Sequence, residues 1–355
     1  MAKKIIHIIP NQKFTRGYLN FMQQKYSCYD HFFYIISSSG HVFFHPDSSN
    51  EKMVECLNSA ESLHAKYIRE QLLSANKIIV SGLFNRIHVA LSRLPNSILR
   101  KIYIQFWGGD FYGYRFTKKF SKKWVSKILV QSCINRCAAI ITLVPDDYKE
   151  LSKIFPNSKP HFVASVPYDP EQIDDYEKYL NKGSNSHMIL LGNSATPENY
   201  HIEMMRNLKH LKDSDIEIMC PLSYGDLEYA NKVISVGEQI FGKRFIKVTN
   251  YQSFEEYKKM LSKCSVGIFA NDRQQAMGNI GIMMMMGKKV YLREGTSMWN
   301  SYVDYGIELH SISELSTVTV DELFKFNKKS ATENAKRIRM RDGDYDNNWG
   351  EVLAY

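Results

Sequence analysis

The stretch that decides the fold is residues 265–292, SVGIFANDRQQAMGNIGIMMMMGKKVYL. It starts with a short apolar run, Ser265–Phe269, and ends with another, Lys289–Leu292. Between them, the segment from Ala276 to Gly287 predicts a buried helix that ends at Gly287, with the methionines as core residues. A strand, a helix and a second strand form a βαβ unit, which is typical of parallel sheets covered on both faces.

The same alternation of short β-branched runs and amphipathic, helix-length segments continues through most of the chain. It pauses at the polar and acidic segment Tyr168–Ser186, which predicts an interdomain linker. We therefore predict an α/β protein with two Rossmann-like domains, residues 1–180 and 186–325, that face a cleft. A helical segment, residues 326–355, is predicted to pack back on the N-terminal domain. The predicted strands are Lys4–Ile9, Phe32–Ser37, Lys77–Val80, Lys101–Phe106, Ala138–Leu143, Phe162–Ala164, Met188–Leu191, Ile216–Cys220, Phe245–Val248, Ser265–Phe269 and Lys289–Leu292.

Composition limits the classes of protein and partner. With 355 residues, 44% of them hydrophobic, the chain can bury two cores, and no apolar run approaches the length of about 20 residues that a membrane span needs. His7 interrupts the basic and apolar start, which we interpret as a first buried strand of a cytoplasmic protein. The six cysteines lack the spacing of a zinc site, and we expect no metal. A formal charge of +9 favours a polyanionic partner: nucleic acid, an acidic membrane face or a phosphorylated substrate.

Residues that follow predicted strands are candidates for the site, because ligands bind at the carboxyl ends of strands in open parallel sheets. In the first half, Trp107-Gly108-Gly109-Asp110-Phe111-Tyr112 follows Lys101–Phe106. Two glycines allow a ligand to approach the backbone closely, and aromatic rings beside a carboxylate are typical of carbohydrate sites. The alternative is a tight turn in which Asp110 caps the helix that follows. The other candidates after strands of this half include Asn11, Phe84 and Asn85.

In the second half, Arg273-Gln274-Gln275 follows a strand, and Gly278-Asn279-Ile280-Gly281 begins the predicted helix. Free amides and the positive end of a helix dipole favour an anion, and an arginine can bind a diphosphate with two nitrogens. The two glutamines add neutral donors. This pattern predicts a diphosphate site. The alternative for Arg273 is a surface or interdomain ion pair.

Two further segments of the second half are candidates. Gly192-Asn193-Ser194 lies between a strand and a helix predicted to begin near Pro197, so its amides are placed to line a phosphate or a transferred sugar. A plain strand-to-helix turn is the alternative. Tyr224 follows the predicted strand Ile216–Cys220, and we expect its ring to stack against a nucleobase.

The segment Tyr114–Val130, YRFTKKFSKKWVSKILV, is strongly basic. Phe116, Phe120, Trp124 and Ile128 recur every four residues, which predicts one apolar stripe on a helix that lies on an anionic membrane surface. The alternative is a solvated basic helix whose stripe packs into its own domain. No nucleic-acid motif accompanies the charge, so we expect no nucleic-acid partner. The predicted membrane-facing residues are Arg115, Lys118, Lys119, Lys122, Lys123, Trp124 and Lys127.

Taken in order along both halves, these residues resemble the bacterial 4-acetamido-4,6-dideoxygalactose transferase family, that is, the TDP-N-acetylfucosamine:lipid II N-acetylfucosaminyltransferases of glycosyltransferase family 56. The resemblance runs from about residue 77 to residue 300. The residues that carry it are Gly82-Leu-Phe-Asn85, Phe106–Tyr112, Leu191-Gly-Asn-Ser194, Asn199, His201, Ile268-Phe-Ala270, Arg273-Gln-Gln275, Gly278, Gly281 and Trp299. The family's Arg-Glu after the last strand of the sheet is shifted here by one position, to Arg293-Glu294.

This resemblance implies a GT-B enzyme in which the second domain holds the nucleotide-sugar and the first holds the acceptor. It implies a dTDP-activated amino-dideoxy sugar as donor and an undecaprenyl-diphosphate-linked saccharide as acceptor. It further implies catalysis without a bound divalent cation or other cofactor, at the cytoplasmic face of the bacterial inner membrane. The product then belongs to a surface polysaccharide such as enterobacterial common antigen, O-antigen or capsule.

Roles follow for the candidate residues. Asp110 is predicted to bind or deprotonate the acceptor hydroxyl, and Arg273 to stabilise the leaving diphosphate. Two alternatives stay open: a GT-B transferase with a UDP-linked or other nucleotide-sugar donor, and a non-catalytic lipid- or polyanion-binding protein of GT-B fold. The predicted donor-binding residues are Gly192, Asn193, Ser194, Tyr224, Arg273, Gln274, Gln275, Gly278, Asn279, Ile280 and Gly281. The predicted acceptor-binding residues are Asn11, Phe84, Asn85, Trp107, Gly108, Gly109 and Tyr112.

Overall fold

A computed structural model of the protein describes residues 2–37, 44–47, 51–166, 176 and 186–355. The chain divides into two compact units. The first comprises Met1–Asp174 together with Gly343–Tyr355, and the second comprises Asp175–Asp342. The predicted linker Tyr168–Ser186 lies outside the described residues, apart from Tyr176 and Ser186.

Within the described residues, the first unit contains a sheet of seven parallel strands in the order β3-β2-β1-β4-β5-β6-β7. Strand β1 lies at its centre, and Ile6 of β1 is in register with Phe32 of β2 and Ile78 of β4. The strands are β1 (Lys4–Pro10), β2 (Asp30–Ile36), β3 (Val54–Leu57), β4 (Lys77–Ser81), β5 (Ile102–Phe106), β6 (Ala139–Thr142) and β7 (His161–Val163).

The second unit contains a parallel sheet that has, in the part of the chain described, six strands in the order β10-β9-β8-β11-β12-β13. Numbered within the unit, this order is 3-2-1-4-5-6, the order of the Rossmann fold. Its strands are β8 (Met188–Leu191), β9 (Glu217–Pro221), β10 (Phe245–Val248), β11 (Val266–Phe269), β12 (Lys289–Leu292) and β13 (His310–Ser311).

All eleven predicted strands are present, with ends within two residues of the prediction. The sequence did not predict β3 and β13, which lie at sheet edges and have four and two residues. Short edge strands are half-exposed, so they lack the continuous apolar run that marks a buried parallel strand.

Helices cover both sheets, as the strand–helix alternation predicted. Their bounds are α1 (Thr15–Lys25), α2 (Lys66–Ser74), α3 (Ile87–Ser92), α4 (Asn96–Leu99), α5 (Lys122–Arg136), α6 (Pro145–Ile154), α7 (His201–Asn207), α8 (Leu227–Phe241), α9 (Phe254–Lys263), α10 (Met277–Met285), α11 (Ser297–Val303), α12 (Val320–Phe324), α13 (Lys328–Asn347) and α14 (Trp349–Ala354).

The core of each unit lies on both faces of its sheet. In β1, Ile6 and Ile8 belong to one apolar cluster while Ile5 and Ile9 belong to another, because successive side chains of a strand point to opposite faces. In the second unit, the methionine run 283–286 is buried in the cluster that also contains Leu190. The methionines are thus core residues, as the sequence indicated.

The C-terminal residues 343–355 belong to the first unit. Trp349 is fully buried there, its ring centroid lies 5.6 Å from that of Tyr18, and its Nε1 donates to the carbonyl oxygen of Ser165 at 3.0 Å. Nζ of Lys77, at the start of β4, donates to the carbonyl oxygens of Val352 and Leu353. The end of the chain therefore completes the core of the first unit.

No helix within the described residues combines the length and the hydropathy that crossing a bilayer requires. No group of three or more His, Cys, Asp or Glu side chains is placed there as metal ligands would be.

We expect Trp349→Ala to destabilise the first unit by about 3–5 kcal/mol, because it leaves a large cavity and removes the hydrogen bond to the carbonyl oxygen of Ser165. Urea unfolding followed by circular dichroism measures the change. Trp349→Phe is the matched control, since it keeps most of the apolar contact and should cost less. An unchanged urea midpoint for Trp349→Ala would contradict the packing of this segment.

Candidate functional site

Each sheet has a point at which its strand order reverses, and the candidate residues lie at these points. In the second unit the reversal lies between β8 and β11, and in the first it lies between β1 and β4. Loops at the carboxyl ends of two such strands diverge to opposite faces and leave a crevice, which is where open α/β sheets bind ligands.

In the second unit, the loop after β8 is held in place by Asn199. Oδ1 of Asn199 accepts the backbone N–H of Asn193 at 3.0 Å, and its Nδ2 donates to Oγ1 of Thr196 at 2.7 Å and to the carbonyl oxygen of Ser194 at 3.1 Å. The loop is therefore shaped by one buried carboxamide, and the predicted residues Asn193 and Ser194 are both buried within it.

Gly192 begins this loop and has no room for a side chain. A Cβ at this position would lie 2.3 Å from Nε2 of His201, and the backbone has a left-handed φ of 71°. Burial lowers the pKa of His201 to about 4, so its ring is neutral at pH 7. Only glycine permits both the turn and the close approach of the imidazole.

Asn193 connects the loops after three strands. Its Nδ2 donates to the hydroxyl of Tyr224, on the loop after β9, at 3.1 Å. Nε2 of Gln275, on the loop after β11, lies 3.5 Å from Oδ1 of Asn193 and 3.3 Å from Oγ1 of Thr196. The structure thus brings together residues predicted from three separate segments, and the ring of Tyr224 remains 52% exposed.

The helix α10 presents an uncapped N-terminus at the same edge of the sheet. Its first turn contains no acidic residue, and no side chain caps it. Arg273, four residues upstream, donates from Nη1 to the carbonyl oxygen of Gln274 at 3.2 Å, and within the described residues it forms no ion pair with a carboxylate. A positive side chain and free helix amides together favour a phosphate.

The start of α10 corrects two predicted donor residues. The helix begins at Met277, after Ala276 in a left-handed conformation with φ 59°, rather than near Gly278. The N–H of Ile280 already donates to the carbonyl oxygen of Ala276 at 3.0 Å, and Gly281 lies a full turn inside the helix. The amides of Ile280 and Gly281 therefore do not face a ligand, whereas those of Met277, Gly278 and Asn279 lie in the first turn.

The side chain of Asn279 forms a hydrogen bond to a neighbouring helix. Its Nδ2 donates to the hydroxyl of Tyr257 on α9 at 2.7 Å, which ties α10 to the neighbouring helix. At the other end of α10, Gly287 adopts a left-handed φ of 72° and stops the helix, as the sequence predicted. The side chain of Asn279 is thus structural, and only its backbone amide belongs to the candidate site.

In the first unit, Asp110 joins the loops after β4 and β5. One carboxylate oxygen accepts the N–H of Leu83 at 3.0 Å, and the other accepts the N–H of Trp107 at 2.9 Å. Asp110 is 7% exposed. It does not cap the short 3₁₀ turn that follows, at Tyr112–Tyr114, so that alternative is wrong. The carboxylate instead fixes the geometry of two neighbouring loops.

Three half-buried aromatic rings lie at the carboxyl edge of the first sheet. The ring centroid of Trp107 lies 5.7 Å from that of Phe84 and 6.2 Å from that of Phe14. Gly109 beside them is exposed and Asn85 is exposed, while Gly108 is buried. Trp107, Phe84 and Phe14 thus form an apolar surface of the kind that a sugar ring covers.

Two predicted acceptor residues are corrected by their contacts. The carboxamide of Asn11 donates to the carbonyl oxygen of Phe44 and accepts its N–H, both at 3.0 Å, so it serves as a main-chain clamp. Tyr112 is 6% exposed, and its hydroxyl donates to Oδ1 of Asp147 at 2.7 Å. Both side chains are part of the interior of the first unit.

The basic segment differs from the single predicted helix. Helix α5 begins at Lys122, where Ser121 accepts the N–H of Trp124 at 3.1 Å as the N-cap, and Phe120 before it has a left-handed φ of 61°. Phe116 and Phe120 precede the helix and are 94% and 87% exposed. The stripe therefore does not lie on one helix, and Phe116 and Phe120 do not pack into the domain, whereas Trp124 is half-buried.

Arg115 is corrected as a membrane-facing residue. It forms an ion pair with Glu150 at 2.9 Å, and its guanidinium lies 4.2 Å from the ring centroid of Tyr112. Its charge is thus used within the first unit. Four of the predicted lysines are exposed on the segment: Lys118, Lys119, Lys122 and Lys123.

Sequence reasoning gave no role to Phe14, Asn271 or Arg293. Arg293 follows β12, and its Nε donates to the carbonyl oxygen of Ala270 at 2.9 Å, which supports the end of β11. Its position directly after a predicted strand was the available signal. The same signal applied to Asn271, which follows β11, and to Phe14, which follows β1.

Asp110→Asn should destabilise the first unit, because the new NH₂ group cannot accept the amide hydrogen that one carboxylate oxygen accepts now. We expect the free energy of unfolding to fall by about 1–3 kcal/mol and the melting temperature to fall by several degrees, as measured by scanning calorimetry. Asp30→Asn, at the exposed start of β2, is the control and should melt as the parent does. Equal melting of the two variants would show that the two amide contacts carry no stability.

The fold is shared with solved structures of glycosyltransferases. HepE of Anabaena in complex with UDP and glucose matches with a TM-score of 0.69 at 12% identity, covering 99% of this chain and 100% of that chain. Sucrose-phosphate synthase of Thermosynechococcus elongatus matches with a TM-score of 0.73 at 8% identity, covering 99% and 98%. Two Rossmann-like units of this kind constitute the GT-B fold.

The family is shown by the sequence as a whole. The model of the family described as 4-alpha-L-fucosyltransferase glycosyl transferase group 56 matches residues 3–355. The chain therefore belongs to glycosyltransferase family 56, and the protein is a glycosyltransferase of the GT-B fold with a nucleotide-sugar donor.

Proposed function

We propose that this enzyme transfers an amino-dideoxy sugar, 4-acetamido-4,6-dideoxygalactose or a close relative, from a dTDP-sugar to an undecaprenyl-diphosphate-linked saccharide. The product belongs to a bacterial surface polysaccharide. The observation that carries the proposal is the combination of Arg273, which has no carboxylate partner among the described residues, with the uncapped N-terminus of α10. Membership of family 56 and the sequence resemblance supply the sugar class.

The second unit is proposed to bind the donor. The diphosphate lies against Arg273 and the first-turn amides of Met277, Gly278 and Asn279, which are half-buried. Departure of the nucleoside diphosphate places negative charge on the phosphate oxygens, and fixed positive groups stabilise that charge without reorganisation. The exposed ring of Tyr224, held through its hydroxyl by Asn193, is proposed to stack against the base.

The first unit is proposed to bind the acceptor. The rings of Trp107, Phe84 and Phe14 offer an apolar surface for the saccharide. Asp110 is the proposed group that takes the proton of the attacking hydroxyl, because a carboxylate can act as a general base and this one lies on the loop after β5, beside Trp107. Asp110 would then serve both the loop geometry and the reaction.

The basic segment is proposed to hold the enzyme on the cytoplasmic face of the inner membrane, peripherally. A lipid-linked acceptor lies at such a surface. Phe116 and Phe120 are exposed apolar rings among exposed lysines, and positive charge beside apolar side chains complements an anionic bilayer. Neither the charge nor the rings alone would give this complementarity.

A UDP-sugar is the second candidate for the donor. It is favoured by one observation: the fold is shared with HepE, which was solved with UDP and with UDP-glucose. The residues proposed to bind the diphosphate would serve either nucleotide, so only the contact with the base separates the two candidates.

The donor proposal predicts tight binding of dTDP by the purified protein, both in EDTA and with magnesium, and weaker binding of UDP and GDP. Arg273→Ala should weaken dTDP binding by about 10-fold or more, since it removes a charge-assisted contact of about 1.5–3 kcal/mol. Isothermal titration calorimetry measures both results. Arg206→Ala, an exposed arginine in the same unit, is the control and should bind as the parent does.

Preference for UDP would keep the GT-B enzyme and change the donor. Equal affinity of Arg273→Ala and the parent would remove Arg273 from the diphosphate site. Failure of the protein to bind any of the three nucleotides would favour the non-catalytic, lipid- or polyanion-binding interpretation.

The membrane proposal predicts that replacing Lys118, Lys119, Lys122 and Lys123 with glutamine abolishes cosedimentation with vesicles of phosphatidylglycerol and phosphatidylethanolamine. Each lysine near an anionic surface contributes about 1 kcal/mol, so the loss should be large. The control replaces four exposed lysines of the second unit, namely Lys209, Lys243, Lys259 and Lys325. Equal vesicle binding by the two variants would mean that general positive charge, and not this segment, holds the protein on lipid.

A further inference from the structure

Three side-chain carboxamides surround Arg273, and each has an oxygen without a hydrogen bond. They belong to Asn271, Gln274 and Gln275 on the loop between β11 and α10. Each oxygen is out of contact with solvent and has no donor within the part of the chain that the structure describes. A buried acceptor without a donor costs about 1–3 kcal/mol, and three on one loop of seven residues, 270–276, point to a place where a ligand supplies the donors.

The orientation of two of these amides is fixed by their nitrogens. Nδ2 of Asn271 donates to the carbonyl oxygen of Glu198 at 3.1 Å, so its oxygen cannot exchange places with the nitrogen. Nε2 of Gln275 faces two oxygens, Oδ1 of Asn193 and Oγ1 of Thr196. A reversed amide would put oxygen against oxygen at Asn193, so the unsatisfied end of Gln275 is its carbonyl.

These oxygens are the wrong partners for a diphosphate. A phosphate offers only acceptor oxygens to the protein, and an amide carbonyl has no hydrogen to give it. A nucleotide-sugar carries hydrogen-bond donors on its base, on its pentose and on the transferred sugar. The transferred sugar is joined directly to the diphosphate and carries several of them, as hydroxyl groups and the N–H of an acylamino substituent. The neutral amide oxygens therefore complement the sugar, while Arg273 and the first turn of α10 complement the diphosphate.

We propose that Asn271, Gln274 and Gln275 determine the specificity for the transferred sugar by accepting hydrogen bonds from its hydroxyl and acylamino N–H groups. This inference rests on the proposed donor site and changes the role of the two glutamines from phosphate donors to sugar acceptors. The oxygens are closed off from solvent, so this proposal requires the loop to rearrange when the nucleotide-sugar binds; left-handed Ala276 joins the loop to α10.

The three amide oxygens select against a sugar that lacks hydrogen-bond donor groups at the matching positions. A buried site built to hydrogen-bond a group rejects an analogue without it, because the protein oxygen then stays unpaired. Three acceptors around one arginine suit a sugar with several donors on one face. An amino-dideoxy sugar keeps an acylamino N–H where another sugar has a hydroxyl, and it meets this requirement.

The test is a comparison of two affinities, for dTDP and for dTDP-4-acetamido-4,6-dideoxygalactose, by calorimetry. Gln274→Met is the first variant. The amide nitrogen of Gln274 donates no hydrogen bond within the described residues, and methionine has a similar length. We expect it to weaken the dTDP-sugar by about 10-fold, as the loss of one hydrogen bond to a buried acceptor implies, and to bind dTDP as the parent does. Gln275→Met is the second variant and should weaken the dTDP-sugar more than it weakens dTDP, although it also removes the contacts of Nε2 with Asn193 and Thr196.

Arg273→Ala is the reference, since it should weaken both ligands equally. Equal weakening of dTDP and dTDP-sugar by both glutamine variants would overturn the inference and return the glutamines to the diphosphate, while the proposed function stands. Unchanged affinity of both variants for both ligands would also overturn it. A parent protein that binds neither ligand would overturn the proposed function and the inference together.

Discussion

The candidate site of the second unit depends on the steric constraint at Gly192. A side chain there would meet Nε2 of His201 at 2.3 Å and Oδ1 of Asn199 at 2.9 Å, so the chain can turn directly after β8 only with glycine. That turn brings the loop within reach of the Asn199 carboxamide, which in turn positions Asn193. Because Asn193 contacts the loops after β9 and β11, a residue without a side chain sets the relative placement of three loops.

The two carboxyl edges of the sheets differ in chemistry. In the second unit, the edge has the positive charge of Arg273, a helix N-terminus and neutral amide oxygens. In the first unit, the carboxylate of Asp110 is engaged by main-chain amides, and the surface beside it is aromatic. An anionic leaving group and a saccharide have opposite needs, and each edge suits one of them.

Most of the fold could be predicted from the sequence because its signals are local. The apolar runs gave the strands, and Gly287 gave the end of α10. The site was predicted only as loops, since strand ends are visible in the sequence and side-chain partners are not. Asn11 forms hydrogen bonds with Phe44, 33 positions further along the chain. Tyr112 forms one with Asp147, 35 positions further along.

The remaining errors arose where a residue other than glycine adopts a left-handed backbone. Ala276 and Phe120 have φ of 59° and 61°, and neither residue type favours that region, so no residue type marked the starts of α10 and α5 just after them. At Phe120 this matters energetically. Because α5 begins only after Phe120, both Phe116 and Phe120 lie outside the helix and are exposed. Burying each ring in lipid would contribute about 1.5–3 kcal/mol. Salt screens the attraction between the lysines and an anionic membrane but does not weaken the burial of the rings. Under the membrane proposal, the two exposed rings therefore add an apolar, salt-insensitive contribution to binding that positive charge alone does not supply.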